Sequence, residues 1–271
     1  MSDFPIGVFD SGLGGLSIVK CILAQFPEEN IIYVADQAHV PYGARTLDEI
    51  RTLSFAITDF LLARGSKMIV VACNTASAAA LHALRDAHPE IPFVGMEPAV
   101  KPAAGTTHSG VVGVLATPTT FQGKLFASVV ERFADGVTVV EQTLPGLVPL
   151  IEAGHFSGPQ IDEILSSAVE PLLEMGVDTI VLACTHYAFI IPTLEKIVGP
   201  GMKIIDPSPA IARQIGRLLV ENRIENNSRS GGSLQFYTSG DTAAFGSLTR
   251  SLTNEEGPTD QLTWSGGTLT L

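Results

Sequence analysis

Two cysteines that follow closely similar segments are the residues best suited to chemistry in this sequence. Residues 68–78 read MIVVACNTASA and residues 179–189 read TIVLACTHYAF. Cys73 and Cys184 occupy the same place in the two segments, 111 residues apart. Each follows a short apolar run that is typical of a buried strand.

Polar residues come directly after both thiols. Asn74 and Thr75 follow the first cysteine and Thr185 follows the second, and residues of these types favour helix N-caps. The free amides of a helix N-terminus stabilise a thiolate and lower the pKa of the thiol. One cysteine in such a context is more often a buried structural residue, but two in matching contexts favour a chemical role.

A pair of thiols on opposite sides of one carbon can do what a single thiol cannot. A thiolate on one side can remove a weakly acidic hydrogen, while a thiol on the other side delivers a proton to the opposite face. The configuration of the carbon is then inverted. The pair therefore predicts two-base racemisation without a cofactor.

Two other classes of function fit parts of this pattern. A cysteine-dependent hydrolase or transferase would use one nucleophile and leave the second thiol unexplained. A non-catalytic two-lobed solute-binding protein would share the outline of the fold, but it usually carries an export signal and gains nothing from paired thiols. Both fit less well than a racemase.

A glycine-rich turn is the next candidate. Residues 9–15 read FDSGLGG, with Asp10 at the end of a predicted strand. Such a turn lets backbone amides approach an anionic group. It does not match the GxGxxG dinucleotide pattern. Asp10 is therefore a candidate for assisting a thiol or for binding a substrate ammonium.

Three further positions could contribute to the site. Residues 40–46 (VPYGART) predict a turn that offers the Tyr42 hydroxyl to a ligand, whereas Arg45 in this loop is expected to be solvated. His186, two residues after the second thiol, suits a proton shuttle or a thiolate stabiliser. Glu152, ahead of Ala-Gly, is expected from the residues alone to be a surface carboxylate.

Strands and helices that would position these residues alternate along the chain. Strands are predicted at 5–9, 31–34, 68–72, 92–95, 111–115, 137–140, 179–183 and 203–205. Helices are predicted near 15–26, 46–64, 76–88, 119–133, 159–175 and 208–222. Near-continuous apolar strands that alternate with helices indicate α/β architecture with buried parallel sheets.

A second repeat indicates that the chain contains two related halves. The segment IGVFDSG at 6–12 resembles VGVLATP at 112–118, at an offset of 106 residues, close to the offset of the cysteines. Similar offsets suggest internal duplication. We therefore predict two similar parallel-sheet α/β domains related by pseudo-twofold symmetry, with the active site in the cleft between them.

The domain limits follow from the connecting segments. Residues 95–110 and 204–210 contain Pro and Gly and are the expected crossings and hinges. The first domain is predicted to comprise residues 1–97 plus 208–271, and the second residues 98–207.

Composition restricts the function classes. The 271 residues are 45% hydrophobic and 16% charged, with a net charge of −12, which favours a sizeable core and disfavours binding to nucleic acid or to anionic membranes. No apolar run approaches the roughly 18 residues of a spanning helix. There is no signal-like N-terminus, so a cytoplasmic location is expected. Three cysteines without CxxC or HExxH predict neither a disulfide framework nor a metal site.

Taken together, these motifs resemble the glutamate racemases of the aspartate/glutamate racemase superfamily. The matching segments span nearly the whole chain: GVFDSGLGGLS (7–17), VPYGART (40–46), ACNTASA (72–78), GMEPAVKPA (95–103), GVLATPTT (113–120), ACTHYAF (183–189), IDPS (205–208) and FYTSGD (236–241).

The resemblance implies an activity and a setting. It implies cofactor-independent interconversion of L- and D-glutamate, with D-glutamate supplied for peptidoglycan and hence for cell-wall biogenesis and cell shape. It also implies a homodimer. Racemisation of a related acidic amino acid, aspartate, is the alternative, although His186 separates the chain from the aspartate racemases, which typically have an acidic residue there.

Site residues carry over by motif. Cys73 and Cys184 resemble the two proton carriers, the first acting on the D-substrate and the second on the L-substrate, with Asp10, Glu152 and His186 as their helpers. The implied substrate-binding residues are Asp10, Ser11, Pro41, Tyr42, Gly43, Asn74, Thr75, Thr117, Thr185 and His186.

Two positions depart from the family pattern around the second thiol. Ala183 stands where the family usually has Gly, and Ala188 where it usually has Pro after the tyrosine. A methyl group is added at the first position and a turn constraint is lost at the second. Neither change removes a proton-transferring group.

Overall fold

Strands and helices alternate along most of the computed structural model, which describes residues 2–228 and 231–271. The strands are β1 Ile6–Asp10, β2 Ile31–Ala35, β3 Met68–Val71, β4 Phe93–Gly95, β5 Val111–Ala116, β6 Thr138–Thr143, β7 Thr179–Ala183, β8 Lys203–Ile205, β9 Leu234–Thr238, β10 Thr259–Gln261, β11 Thr263–Ser265 and β12 Thr268–Thr270.

The α-helices are α1 Leu16–Gln25, α2 Leu47–Ala63, α3 Asn74–Ala87, α4 Val100–Ala104, α5 Pro118–Gln122, α6 Lys124–Phe133, α7 Leu147–Glu152, α8 Pro159–Glu174, α9 Ile191–Val198, α10 Ser208–Asn222 and α11 Thr242–Thr253. Short 3₁₀ helices occur at Gln37–His39, Tyr42–Ala44 and Thr185–Ile190. None of the helices in the described parts of the chain is both long and apolar enough to cross a membrane.

Two parallel sheets organise these elements. The first has the order β10-β9-β2-β1-β3-β4, and the second has the order β6-β5-β7-β8. Strands β1 to β4 in the first sheet and β5 to β8 in the second follow the same spatial order, so the second topology repeats the first. The chain therefore has the predicted parallel α/β fold with two similar sheets. We call the parts built around these sheets the first lobe and the second lobe.

Burial on both faces explains the continuous apolar strands. Every residue of β1, β2, β3 and β7 is buried. Alternate residues of β1 face different clusters: Phe9 packs on the side of α2 and α3, whereas Val8 packs on the side of α1 and α10. In the second lobe, Leu182 and Val181 divide in the same way between two clusters. Helices on both faces leave no room for polar residues in the central strands.

The tail of the chain extends the first sheet. Strand β9 pairs in parallel with β2, β10 pairs with β9, and α10 packs against α1. Strands β9 to β12 and helix α11 are absent from the predicted elements. Strands β10 to β12 have only three residues each, and the second residue of β9 is a glutamine. The domain limits at 97/98 and 207/208 stay a prediction.

The helix predicted at 119–133 is not continuous in the structure. The helix expected at 119–133 is two helices, α5 and α6, separated at Gly123, which has an extended backbone. A β-carbon at Gly123 would lie 2.6 Å from the β-carbon of Ala78 in α3. The break therefore allows this turn to approach the first lobe closely.

Candidate active site

The carboxyl ends of the strands in both sheets meet at one small cavity. From the first lobe it is lined by Ser11, Pro41, Tyr42, Gly43, Cys73, Asn74 and Thr75, and from the second lobe by Thr117, Val148, Cys184, Thr185 and His186. Its volume of about 10 Å³ accommodates roughly one water molecule. The two thiols therefore come from different sheets and line the same small cavity beyond the carboxyl ends of the strands, where ligands bind in parallel α/β folds.

Cys73 begins helix α3 and forms the first-lobe side of the cavity. It is the N-cap itself, and its Sγ accepts a hydrogen bond from the backbone N–H of Ala76 at 3.5 Å. The sequence-based assignment of Asn74 as a capping residue was one position too late, because Asn74 is already in the helix.

The expected lowering of the first thiol's pKa is wrong: the structure raises this pKa instead. Burial raises the pKa of the Cys73 thiol well above its usual range, and the neighbouring Asp10 carboxylate raises it further. The N–H of Ala76 acts in the opposite direction but does not compensate. Desolvation therefore outweighs the helix N-terminus, and Cys73 is protonated at neutral pH.

Cys184 begins the 3₁₀ helix Thr185–Ile190 and forms the second-lobe side. Its Sγ lies 3.9 Å from Nδ1 of His186, whose Nε2 lies 2.5 Å from Oε1 of Glu152. Burial alone would lower the pKa of His186, but hydrogen bonds with Cys184 and Glu152 and the Glu152 charge raise it well above its usual value. His186 is thus an imidazolium that faces the second sulfur.

Glu152 is not the surface carboxylate that its local sequence predicts, because its side chain is only 9% exposed. It lies at the end of α7 and accepts hydrogen bonds from His186, from the backbone N–H of Leu13 at 2.6 Å and from Nε2 of Gln37 at 2.9 Å. Burial raises its pKa, but the hydrogen bonds from His186, Gln37 and Leu13 outweigh this and lower it overall. Glu152 is therefore an ionised partner of His186.

Asp10 occupies the end of β1 and is fully buried. Its Oδ2 accepts hydrogen bonds from the backbone N–H groups of Gly15 at 2.9 Å and Gly12 at 3.4 Å. Burial raises the pKa of this carboxyl, while the charge of His186 and the Gly15 N–H lower it in part. The carboxylate also interacts with the thiol of Cys73, which lowers the pKa of Asp10 and raises that of Cys73.

Asn74 has an unusual hydrogen-bonding state for a buried amide. The residue is 2% exposed, yet neither Nδ2 nor Oδ1 has a partner in the part of the chain that the structure describes. Most buried polar atoms in native proteins are hydrogen-bonded. Asn74 also lines the cavity, so these two polar atoms belong to the candidate site.

A cluster of hydroxyls adds polar groups to the same cavity. Oγ1 of Thr75 lies 3.0 Å from Oγ1 of Thr117 and 3.3 Å from Oγ1 of Thr120, which is 2.9 Å from Thr117. Tyr42 donates its hydroxyl hydrogen to Oδ2 of Asp36 at 2.7 Å, and burial raises its pKa well above the usual value. Tyr42 is therefore protonated and fixed in place.

Glycines let the two lobes come into contact around the cavity. A β-carbon at Gly12 would overlap the carboxylate of Glu152, and one at Gly43 would lie 2.6 Å from the β-carbon of Thr117. A β-carbon at Gly14 would lie 2.6 Å from Nδ1 of His186. Gly12 and Gly14 therefore allow the two lobes to approach closely, in addition to forming the turn after Asp10.

Several residues at the site escaped the sequence analysis. Val148 lines the cavity, Asp36 accepts a hydrogen bond from the lining residue Tyr42, Gln37 donates to Glu152 behind His186, and Thr120 joins the hydroxyl cluster. The one signal that could have identified Asp36 and Gln37 is their position directly after the buried strand β2. In the described segments, no group of three or more His, Cys, Asp or Glu residues could hold a metal ion.

The two departures from the family pattern fit their surroundings. Ala183 is fully buried among apolar residues on one face of the second sheet. Ala188 lies inside the 3₁₀ helix Thr185–Ile190, where the helix itself fixes the backbone. Neither methyl group occupies the cavity lining.

Comparison with known proteins identifies the family. A family model described as Asp/Glu/Hydantoin racemase matches residues 6–215. The chain belongs to this family. Two relatives of this racemase named glutamate racemase are 49% identical over 245 residues, from Roseiflexus sp. strain RS-1, and 48% identical over 240 residues, from Ectopseudomonas mendocina. The alignments cover 90% and 89% of this chain and 90% and 91% of those proteins.

Solved structures of the family superpose on this racemase over nearly its full length. Glutamate racemase from Francisella tularensis in complex with D-glutamate has a TM-score of 0.86 at 30% identity, covering 97% of this chain and 98% of that one. Escherichia coli glutamate racemase in complex with L-glutamate and the activator UDP-MurNAc-ala has a TM-score of 0.82 at 31% identity, covering 95% and 97%.

Proposed function

We propose that this racemase interconverts L- and D-glutamate by proton transfer at Cα, with Cys73 and Cys184 as the two proton carriers. The observation that supports this most directly is the pair of thiols, one from each sheet, that line a single small cavity. The names of the curated relatives and the glutamate bound in the two solved structures support the substrate.

The proton transfer proceeds through complementary states of the two sulfurs. In one direction the thiolate of Cys184 removes the α-hydrogen of L-glutamate, and the thiol of Cys73 donates its proton to the opposite face of the carbanion. The product leaves with Cys73 as thiolate and Cys184 as thiol, and the reverse reaction restores the first state. Each turnover breaks one C–H bond and forms another, so no oxidant, cofactor or net proton is required.

Neighbouring charges prepare each sulfur for its role. The His186 imidazolium, held by Glu152, stabilises a thiolate at Cys184 and can pass it a proton. On the other side, the Asp10 carboxylate interacts with Cys73 and can accept its proton.

Stabilisation of the carbanion requires a dry, preorganised site. The α-hydrogen is weakly acidic, so the barrier must be lowered by oriented charges and by exclusion of water. The unpaired amide of Asn74 and the hydroxyls near Thr75 are placed to bind the substrate carboxylates. Because the cavity holds about one water molecule, glutamate enters only if the lobes separate, and residues 95–110 and 204–210 are the proposed hinges.

Circular dichroism and isotope exchange test this proposal. Purified, reduced protein is incubated with L-glutamate, D-glutamate or L-aspartate, and the change in ellipticity is followed. Racemisation of glutamate with uptake of deuterium at Cα from D₂O is the expected result. The variants Cys73→Ser and Cys184→Ser are each expected to lose turnover by orders of magnitude while remaining folded. Near-normal racemisation by either variant would reject the two-base mechanism, and preference for aspartate would reject the substrate.

Three further properties belong to this proposal. A role in peptidoglycan synthesis is the consequence of D-glutamate production. A cytoplasmic location is supported by the three free cysteines, two of which must stay reduced to act. A homodimer is supported by the family resemblance alone, and light scattering of the purified protein tests it.

A further inference from the structure

A glutamine outside the cavity lining joins the two lobes at Glu152. Gln37 follows β2 in the first lobe, and its Nε2 donates to Oε2 of Glu152 in the second lobe at 2.9 Å. The other oxygen of Glu152 accepts from His186 and from the N–H of Leu13. The first lobe thus supplies two of the three donors that hold Glu152.

The orientation of this amide is fixed from its other end. Oε1 of Gln37 accepts from the Thr238 hydroxyl at 2.8 Å, and Oγ1 of Thr238 accepts from the N–H of Gly240 at 3.0 Å. A hydroxyl that donates to the amide oxygen requires the amide nitrogen to face Glu152. A β-carbon at Gly240 would lie 2.7 Å from Oε1 of Gln37, so the glycine permits this close packing.

We infer that Gln37 is a positioning residue that couples closure of the cleft to the Cys184 side of the site. When the lobes close, its amide fixes Oε2 of Glu152 and leaves Oε1 directed at His186, which faces Cys184. When the lobes separate, Glu152 loses the donors of Gln37 and Leu13 together. This inference rests on the proposed function and adds a residue that never touches the substrate.

Two substitutions separate the donor role of Gln37 from its bulk. Gln37→Met keeps the length of the side chain but removes both hydrogen bonds. Gln37→Glu keeps the acceptor for Thr238 but places a second carboxylate against Glu152. Gln235→Met is the matched control. The Gln235 amide donates hydrogen bonds to Phe236, Pro258 and Asp260 in the first lobe, and within the described residues none of these three contacts Glu152 through a hydrogen bond.

The kinetic test measures kcat and KM for L-glutamate from pH 6 to 9. Gln37→Met is expected to lose kcat by about tenfold, the effect of one hydrogen bond to a charged group, with KM changed less than kcat and Gln235→Met unchanged. The ratio of Gln37→Glu activity to wild type is expected to rise toward low pH, because a protonated carboxyl regains a donor. The charged and titratable groups around this pair are Cys184 and Asp10, which act on His186, and Asp10 and Tyr33, which interact with Glu152; they are common to all variants. Wild-type kcat in Gln37→Met, or a pH-independent ratio for Gln37→Glu, would overturn the inference.

A stability measurement distinguishes failure of this inference from failure of the proposed function. The changes in unfolding free energy of Gln37→Met, Glu152→Gln and the double variant, measured by thermal unfolding, form a double-mutant cycle. This measurement does not depend on enzymatic activity. Non-additive shifts are expected, since the side chains are in contact. If the wild-type protein racemises nothing, the proposed function fails while the cycle still decides whether the two residues are coupled. Additive shifts would overturn the inference even in an active enzyme.

Discussion

Replacing Gly14 by alanine tests whether contact between the lobes is needed for turnover. Gly14 precedes α1 in the first lobe, with a backbone that alanine also adopts, and its Cα faces the second lobe. The new methyl carbon would lie 2.6 Å from Nδ1 of His186 and closer still to Oγ1 of Thr185. Ordinary van der Waals contacts begin near 3.4 Å, so relief requires a displacement of about 1 Å at this point.

The cost of that displacement falls on catalysis rather than on folding. A misplacement of about 1 Å in a catalytic arrangement can lower the rate by about 10²-fold. We therefore expect Gly14→Ala to lose kcat by about 100-fold in the circular dichroism assay. The free energy of unfolding is expected to change by less than about 1 kcal/mol, because the clash is relieved by opening the cleft and not by disrupting a lobe core.

A matched substitution provides the control. Gly201 has no positive φ, and a β-carbon there would meet nothing within 4 Å, so Gly201→Ala is expected to retain wild-type kcat and stability. Wild-type turnover by Gly14→Ala would refute the argument that close lobe contact is required. Loss of stability comparable to the loss of activity would refute the assignment of the clash to the cleft.

Three further predictions concern buried polar groups. Lys67→Met is expected to lower the free energy of unfolding by about 3–5 kcal/mol in urea titrations, because it leaves a buried charge unpaired. Lys67 Nζ and Glu29 Oε2 are 2.6 Å apart, and both side chains are 3% exposed. A double variant with Glu29→Leu that is no more stable than Lys67→Met would contradict this. Trp264→Phe is expected to cost about 1.5–3 kcal/mol, since the indole N–H donates to buried Asp36 at 2.7 Å; an unchanged denaturation midpoint would argue against it. For His186, whose folded pKa is raised, the stability gained over His186→Gln is expected to be fully present below the ordinary histidine pKa of about 6.5 and to be lost as pH rises through the folded pKa. A difference that instead grows with pH would contradict the charged state.

Features decided by local sequence could be predicted. The central strands are buried on both faces, so their apolar runs reveal them without knowledge of the partners, and the position of a cysteine after each of two such runs identified both thiols. Except for Val148, the residues that line the cavity lie in the quoted motifs, because strand ends converge in parallel sheets.

Features decided by distant partners could not be predicted. Glu152 looks like a surface residue until Leu13, 139 positions away in sequence, supplies its N–H. The raised pKa of Cys73 comes from burial by the whole fold, whereas the sequence shows only the helix that begins there. Strand β9 has the sequence LQFYT, with a polar residue second, and becomes a strand because β2 and β10 lie on either side of it.

The placement of β9 between β2 and β10 has a consequence for the order in which the chain acquires structure during synthesis. All strands of the second sheet lie between residues 111 and 205, so that lobe can fold as soon as it leaves the ribosome. The first sheet must wait for residues 234–261, and Trp264 reaches Asp36 across 228 positions of sequence. We expect the second lobe to become protease-resistant first on a nascent chain. Racemase activity is expected only after strands β9 and β10 have emerged.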